Sequence, residues 1–268
     1  MQKEKITLKE MFKQGMHLGH LTSEWNPRMD SFIYSELKKR HILDLVQSYT
    51  LLNDLLKFLE KSASQGKKFL FIGTKKHIAS LIKETAISCN SFYVNQRWLG
   101  GMLTNWRTVR SSLNYLKRLR KSETSGTWSL LKKKEIASLI RAKLKLESNL
   151  SGLEYMKKLP DIVIVVGQSE EFHAIKECRR LGIETVSILD SNCDPSLVDW
   201  YIISNDDSYT SVQFILSKIM QAILSGQEFL KQQQQLLYIQ QKKRAQRRQK
   251  KKSSKRGFKE YKKKKELL

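Results

Sequence analysis

Three short runs of this chain are apolar almost from end to end, and each leads straight into a polar loop. Phe69–Ile72 runs into Gly73-Thr-Lys-Lys76, Ile162–Val166 into Gly167-Gln-Ser-Glu170, and Thr185–Leu189 into Asp190-Ser-Asn-Cys-Asp-Pro195. A strand with one face in water alternates apolar and polar residues. A strand without alternation is buried on both faces, as in a parallel sheet covered by helices. The first two runs are followed by helical patterns at about 77–88 and 170–181. Strand, loop and helix repeated in this order predict a doubly wound parallel α/β sheet.

The segments around these runs are less uniform. Thr7-Leu-Lys-Glu10 fits a capping box and predicts a helix through about Met16. The stretch Gly15–Arg28 is dense in His, Gly and Asn and reads as a loop. His17 and His20 are spaced as a metal pair would be on a helix, but the intervening glycines and the lack of a nearby third ligand argue against metal. Residues 32–45 read as a strand, a basic turn and a second apolar segment, and 48–62 as a helix. Between the first two apolar runs lies an insertion of two helical patterns, about 105–120 and 130–158, parted by a polar loop. Ile136, Leu139, Leu146, Leu150 and Leu153 keep a heptad seam in the second, so the pair is expected to be an antiparallel coiled-coil hairpin. The domain expectation is an α/β unit over 1–104 and 159–226, the coiled-coil hairpin over 105–158, and a basic low-complexity tail over 227–268. That tail carries 16 Lys or Arg against 3 Glu, and is expected to be helical at most near its start and otherwise disordered.

One stretch combines more functional chemistry than any other. Tyr93–Trp106 holds Trp98, Trp106, Arg97, Asn95, Asn105 and the pair Gly100-Gly101, with Arg107 and Arg110 directly after. Two readings fit: a tight turn between core aromatics, or a surface offering flat rings and forked donors to phosphate.

Charge narrows the class. Fifty Lys and Arg against 26 acids give +24, and a polyanion is the natural neutraliser, nucleic acid first and an anionic membrane surface second. Three scattered cysteines make neither a disulfide framework nor a zinc pattern and favour a reducing compartment. The N-terminal residues have no secretory core, and no apolar run nears the roughly 20 residues that span a bilayer. Catalytic signatures are missing too. Gly73-Thr-Lys-Lys76 lacks the full phosphate-loop pattern, no Gly-x-Gly-x-x-Gly or Gly-x-Ser-x-Gly follows a strand, and Cys193 stands among acids that would raise its pKa. Asp190, Asp194 and Asp199 could form an acidic pocket with Asp206 and Asp207, although Asp206-Asp207 is expected to cap the helix that follows.

Several strings in fixed order carry a family resemblance. They are Gly15-Met-His-Leu-Gly-His20, Trp25-Asn-Pro-Arg-Met29, Phe71-Ile-Gly-Thr-Lys75, Trp98-Leu-Gly-Gly-Met-Leu-Thr-Asn-Trp106, Leu159-Pro-Asp161, Asn192-Cys-Asp-Pro195 and Asn205-Asp-Asp207. Over about 5–225 the chain resembles small ribosomal subunit protein two of the bacterial and organellar type. The resemblance implies a Rossmann-like sheet with an inserted coiled-coil hairpin, no catalysis and no cofactor. As partners it implies small-subunit rRNA and neighbouring small-subunit ribosomal proteins, with no membrane and no small-molecule substrate. Carried over by motif, the positions expected near RNA or protein are His17, His20, Trp25, Asn26, Arg28, Lys75, Lys76, Arg97, Trp98, Asn105, Trp106 and Arg107. Two departures stand out: Gly167, where many relatives have Asp, and Ile202-Ile-Ser-Asn205 in place of Ile-Pro-Ala-Asn. Thirty-six Lys to 14 Arg, with abundant Ile, Asn and Ser, fits an AT-rich genome. The expected setting is therefore the ribosome of a plastid (chloroplast) stroma, with bacterial cytoplasm or mitochondrial matrix as alternatives. The alternative function is a nucleotide- or phosphosugar-binding enzyme on the same fold.

Overall fold

In the computed structural model the backbone is described over residues 6–265 and side chains over 6–128 and 131–242. The chain enters through α1 (Leu8–Lys13), closed by the expected capping box: Glu10 N–H donates to Thr7 Oγ1 and Thr7 N–H to Glu10 Oε2. The segment expected to be loop contributes a strand, β1 (Leu18–Leu21). It pairs antiparallel with β3 (Arg40–Leu43), which also pairs antiparallel with β2 (Ile33–Leu37), giving a small sheet in the order β1-β3-β2. Next comes α2 (Leu45–Ser64), whose first turn is capped by Asp44.

The main sheet has five strands, all parallel: β4 (Phe69–Ile72), β5 (Phe92–Val94), β6 (Ile162–Val166), β7 (Glu184–Leu189) and β8 (Trp200–Ile203), in the order β5-β4-β6-β7-β8. Its two faces are both covered, as the unbroken apolar runs require. Phe69, Phe71, Ile162, Ile164 and Val166 pack on one side against α2, α3 (Ala79–Ser88) and the start of the last helix. Leu70, Ile72, Val163 and Val165 pack on the other against α6 (Phe172–Leu181) and the base of the inserted pair. Each such side chain contributes about 1.5–3 kcal/mol by leaving water. A third, smaller cluster of Met29, Leu43, Leu189, Cys193 and Ile203 seats the small sheet at the carboxyl ends of β7 and β8.

The insertion consists of α4 (Trp106–Thr124) and α5 (Lys133–Leu150). They run antiparallel: Arg120 Nε meets Glu147 at 2.8 Å, and nearer the tip Lys143 pairs with Glu123. Leu113, Leu116 and Leu119 are buried in α4, and Leu150 and Leu153 at the foot of α5. The helix expected to reach Lys158 stops at Leu150, and Gly152 follows at a close approach to β5. A Cβ there would lie 2.0 Å from the Tyr93 carbonyl oxygen, so the chain passes as a 3-10 turn, Ser151–Leu153, pressed onto β5.

The end of the chain also differs from expectation. The last helix, α7, is continuous over Tyr209–Lys265, with no break at Ser225-Gly226 and helix in place of a disordered tail. Gly226 is where α7 crosses α2: a Cβ there would sit 2.3 Å from the Glu60 carbonyl oxygen. Beyond it, straight-chain Gln, Lys and Arg dominate and proline is absent, so the local propensities favour helix apart from Ser253, Ser254 and Gly257. Among the described residues no helix is long and apolar enough to cross a membrane.

Candidate nucleic-acid interface

In an open α/β sheet, ligands settle where neighbouring strands send their helices to opposite faces. Here that point lies between β4 and β6, since α3 joins one core and α6 the other. The crevice is filled from within. Lys75, with its side chain 10% exposed, holds its ammonium 2.7 Å from Asp207, 3.0 Å from Asp206 and 3.5 Å from Glu170. Burial disfavours that charge, but Asp206, Asp207 and Glu170 outweigh it and hold the pKa above the ordinary lysine value. Gly167 makes room, with φ +87° and a hypothetical Cβ only 3.1 Å from Lys75 Cε. Beside it, Glu171 accepts from the Thr74 N–H at 2.8 Å, and burial pushes its carboxyl up.

His20 completes this polar knot. Nδ1 lies 3.0 Å from Asp190, Nε2 lies 3.2 Å from Asp207, and its backbone N–H donates to Ser191 Oγ. The hydrogen bond to Asp190, with the charges of Asp190, Asp206 and Asp207, raises its pKa to about 9 against the opposing effect of burial. Burial lifts Asp206 to about 6 in spite of Lys75. The pair His17 and His20 is not brought to one site, but His20, Asp190 and Asp206 offer atoms within 4.8 Å of one another, the separation a cation would need. The Lys75 ammonium already lies against Asp206. Asp206 and Asp207 turn to Lys75 rather than capping α7, and Asn205 Oδ1 accepts from the N–H groups of Asp207 and Ser208 instead. Of the other acids, Asp194 pairs with Arg28 and Asp199 accepts from Thr185. A phosphate entering this crevice would face carboxylates, not a free lysine.

The Trp98–Trp106 stretch is organised by a residue that no local pattern marks. Glu177 on α6 accepts five hydrogen bonds, from Trp98 Nε1 (3.0 Å), Gly101 N–H (2.7 Å), Leu103 N–H (2.9 Å), Thr104 N–H (3.0 Å) and Thr104 Oγ1 (3.0 Å). Burial pushes its pKa up, but these donors prevail and hold it below the ordinary glutamate value. Gly101 supplies the turn, at φ +83°.

The expected interface residues fall into two groups. Turned inward are Trp98, 9% exposed in the core, and His20 and Lys75 in the knot. Asn26 is also committed: its N–H donates to the Ser191 carbonyl and its Oδ1 accepts from Arg28 N–H. Arg28, though exposed, is held by Asp194 and Ser196. Turned outward, and without side-chain ion pairs among the described residues, are Lys76, Arg97 and Arg107, joined by Arg110 one turn along α4. Asn105 is exposed beside them, accepting from Thr108 Oγ1, and Trp106 is half-buried with Nε1 lacking a partner among the described residues. Trp25 is 36% exposed and tilts over His41, while His17 stacks on Phe12 at 4.2 Å. Burial lowers the pKa of His17, and its Nδ1 has no partner.

The family model described as ribosomal protein S2 matches residues 11–226. Small ribosomal subunit protein uS2c of Chlorella vulgaris is 58% identical over 224 residues, 84% of this chain and 84% of its own length. The uS2c protein of Oltmannsiellopsis viridis is 46% identical over 228 residues, 85% of this chain and 96% of its own. Small ribosomal subunit protein uS2 of Microcystis aeruginosa is 48% identical over 222 residues, 83% and 84% respectively. With the motif strings seated as they are around β4, β6 and the Glu177 loop, the chain belongs to the ribosomal protein S2 family.

Proposed function

We propose that this protein is a structural constituent of the small ribosomal subunit that binds small-subunit rRNA and neighbouring subunit proteins and performs no catalysis. The observation that carries this reading is the division of the cations. Lys75 and Arg28 are neutralised by the protein's own carboxylates, whereas Lys76, Arg97, Arg107 and Arg110 face outward with no ion pair among the described residues. Outward Lys and Arg neutralise backbone phosphates and release counterions, and exposed amides and rings such as Asn105 and Trp25 set register on irregular RNA. In this reading 105–158 acts as a coiled-coil arm carrying charge away from the α/β body, and 227–268 as a basic extension. The same reading makes the twelve motif positions an interface in two parts: an inner set that shapes the loops, and an outer set that touches RNA or protein.

The setting that fits is the plastid, since relatives named uS2c include those of Chlorella vulgaris and Oltmannsiellopsis viridis. A cyanobacterial relative of similar identity keeps bacterial cytoplasm as the alternative. The test is sedimentation of a lysate through a sucrose gradient with this protein followed by immunoblot. Comigration with the small subunit, reversed by RNase or high salt, is expected. A protein found wholly in light fractions would refute the reading.

A further inference from the structure

The tip of the β2–β3 hairpin is built against its own backbone preference. Leu37 pairs with Arg40 across a two-residue turn, and both turn residues, Lys38 (φ +50°) and Lys39 (φ +62°), lie in the left-handed region. Such a turn matches the twist of the strands but favours Asn-Gly, because an L side chain in that region crowds the backbone. Lysine does nothing for the turn here. The side chains of Lys38, Lys39 and Arg40 are exposed and have no ion pair or hydrogen bond among the described residues. On the same hairpin Tyr34 is 76% exposed and Leu37 60%. One pair back from the turn, opposite Glu36, His41 is 9% exposed, and both of its ring nitrogens lack partners among the described residues. A strained turn kept with three unpaired cations, an open aromatic ring and an unsatisfied imidazole is a combination the fold itself does not require.

We propose that this hairpin tip is an RNA contact, with Lys38, Lys39 and Arg40 on the phosphate backbone and Tyr34 stacked on an unpaired base. The assignment rests on the rRNA-binding reading above and adds to it a site outside the motif positions. The turn lies at the open end of the small sheet, with residues 34–40 all exposed, which leaves both lysines accessible to a phosphate strand. Closely spaced cations of one sign with an adjacent ring suit single-stranded or looped RNA, whose bases can leave the stack. A protein partner is the competing occupant, but the patch holds three cations against the single carboxylate of Glu36, which favours the polyanion.

The experiment uses the full-length chain and small-subunit rRNA, with excess tRNA as competitor, in filter binding across a salt series. The double variant Lys38→Asn with Lys39→Gly gives the turn its preferred residues, so any loss cannot be attributed to misfolding. It is expected to melt no lower than the wild type. Its plot of log affinity against log salt should be shallower by roughly 1.4–1.8 for two lost phosphate contacts, with affinity at low salt down on the order of tenfold or more. Tyr34→Ala should lower affinity roughly tenfold with the salt slope unchanged. Wild-type binding matched by the double variant in slope and affinity would overturn the site while leaving the rRNA reading intact. Unaltered binding by Tyr34→Ala would remove the stacking part, and no wild-type binding at all would bring down both readings.

Discussion

Trp98 and Glu177 are joined by a 3.0 Å hydrogen bond from indole Nε1 to Oε1, and the same carboxylate gathers the N–H groups of Gly101, Leu103 and Thr104. The Trp-Leu-Gly-Gly string is therefore a wrapper around an acid on another helix. Replacing Glu177 with Ala would strand an indole and three backbone donors in a half-buried loop. The expected loss is about 3 kcal/mol, read as a lower midpoint in urea unfolding. Glu177→Gln should fall between, because its amide nitrogen presents a donor to donors.

The same carboxylate gives a pH prediction. Its folded pKa is depressed, so its stabilisation is present above the unfolded value of about 4.3 and lost as pH falls through the lower folded value. Between pH 6 and 3 the wild type should lose stability more steeply than Glu177→Gln. Parallel melting curves for the two over that range would remove Glu177 from the acid response.

The two adjacent glycines should respond in opposite ways. Gly101 has φ +83°, whereas a Cβ on Gly100 would meet nothing within 4 Å. Gly101→Ala is expected to destabilise by about 1–2 kcal/mol through left-handed strain, while Gly100→Ala should be neutral or slightly stabilising. Equal effects in thermal unfolding would mean that the turn is not what fixes the loop.

At Gly226 the constraint is space rather than backbone angle. A Cβ at this position would lie 2.3 Å from the Glu60 carbonyl oxygen and 2.7 Å from Ala63 Cβ, which leaves no room for a side chain. Gly226→Val should push α7 off α2 and cost about 1–3 kcal/mol, with reduced hydrogen-exchange protection in both helices. A variant as stable as the wild type would show that α7 is free to shift at that crossing.

What the sequence made legible was local. Phe69–Ile72, Ile162–Val166 and Thr185–Leu189 signalled a parallel sheet because burial on both faces leaves no alternation. Edge strands β5 and β8 were not legible, since Phe92–Val94 and Trp200–Ile203 are short and mix aromatic with aliphatic residues. The Glu177 anchor joins residues 73 to 79 positions apart, and His20 meets Asp190 and Asp207 from the far end of the chain. No spacing rule reports contacts of that kind. Asp206-Asp207 looked like a helix cap because acids at that position usually are. The fold instead put Lys75 opposite them, and Asn205 bonds the N–H groups of Asp207 and Ser208 in the turn that leads into the helix. The boundary expected after residue 226 rested on the change to basic low-complexity composition, which does not report that the helix runs through Gly226 at its crossing with α2.

Lys75 separates the ribosomal reading from the enzyme that shares its fold. In a nucleotide enzyme the lysine after β4 would be free for phosphate, and Lys75→Ala would abolish saturable ligand binding while leaving the fold intact. Here the ammonium instead lies within 3.5 Å of Glu170, Asp206 and Asp207, two of them bonded at 3.0 Å or less. Its removal leaves Asp206, buried and raised to about 6, without its counter-charge. Lys75→Ala is therefore expected to destabilise by about 3–5 kcal/mol, as when one member of a buried pair is deleted. Asp206→Asn should cost much less, because it removes a charge that burial already disfavours. Calorimetric titration of the wild type with nucleoside triphosphates should give no saturable heat, since the crevice presents carboxylates to an incoming anion. Saturable binding that disappears in a still-folded Lys75→Ala variant would reverse this conclusion and restore the enzyme reading.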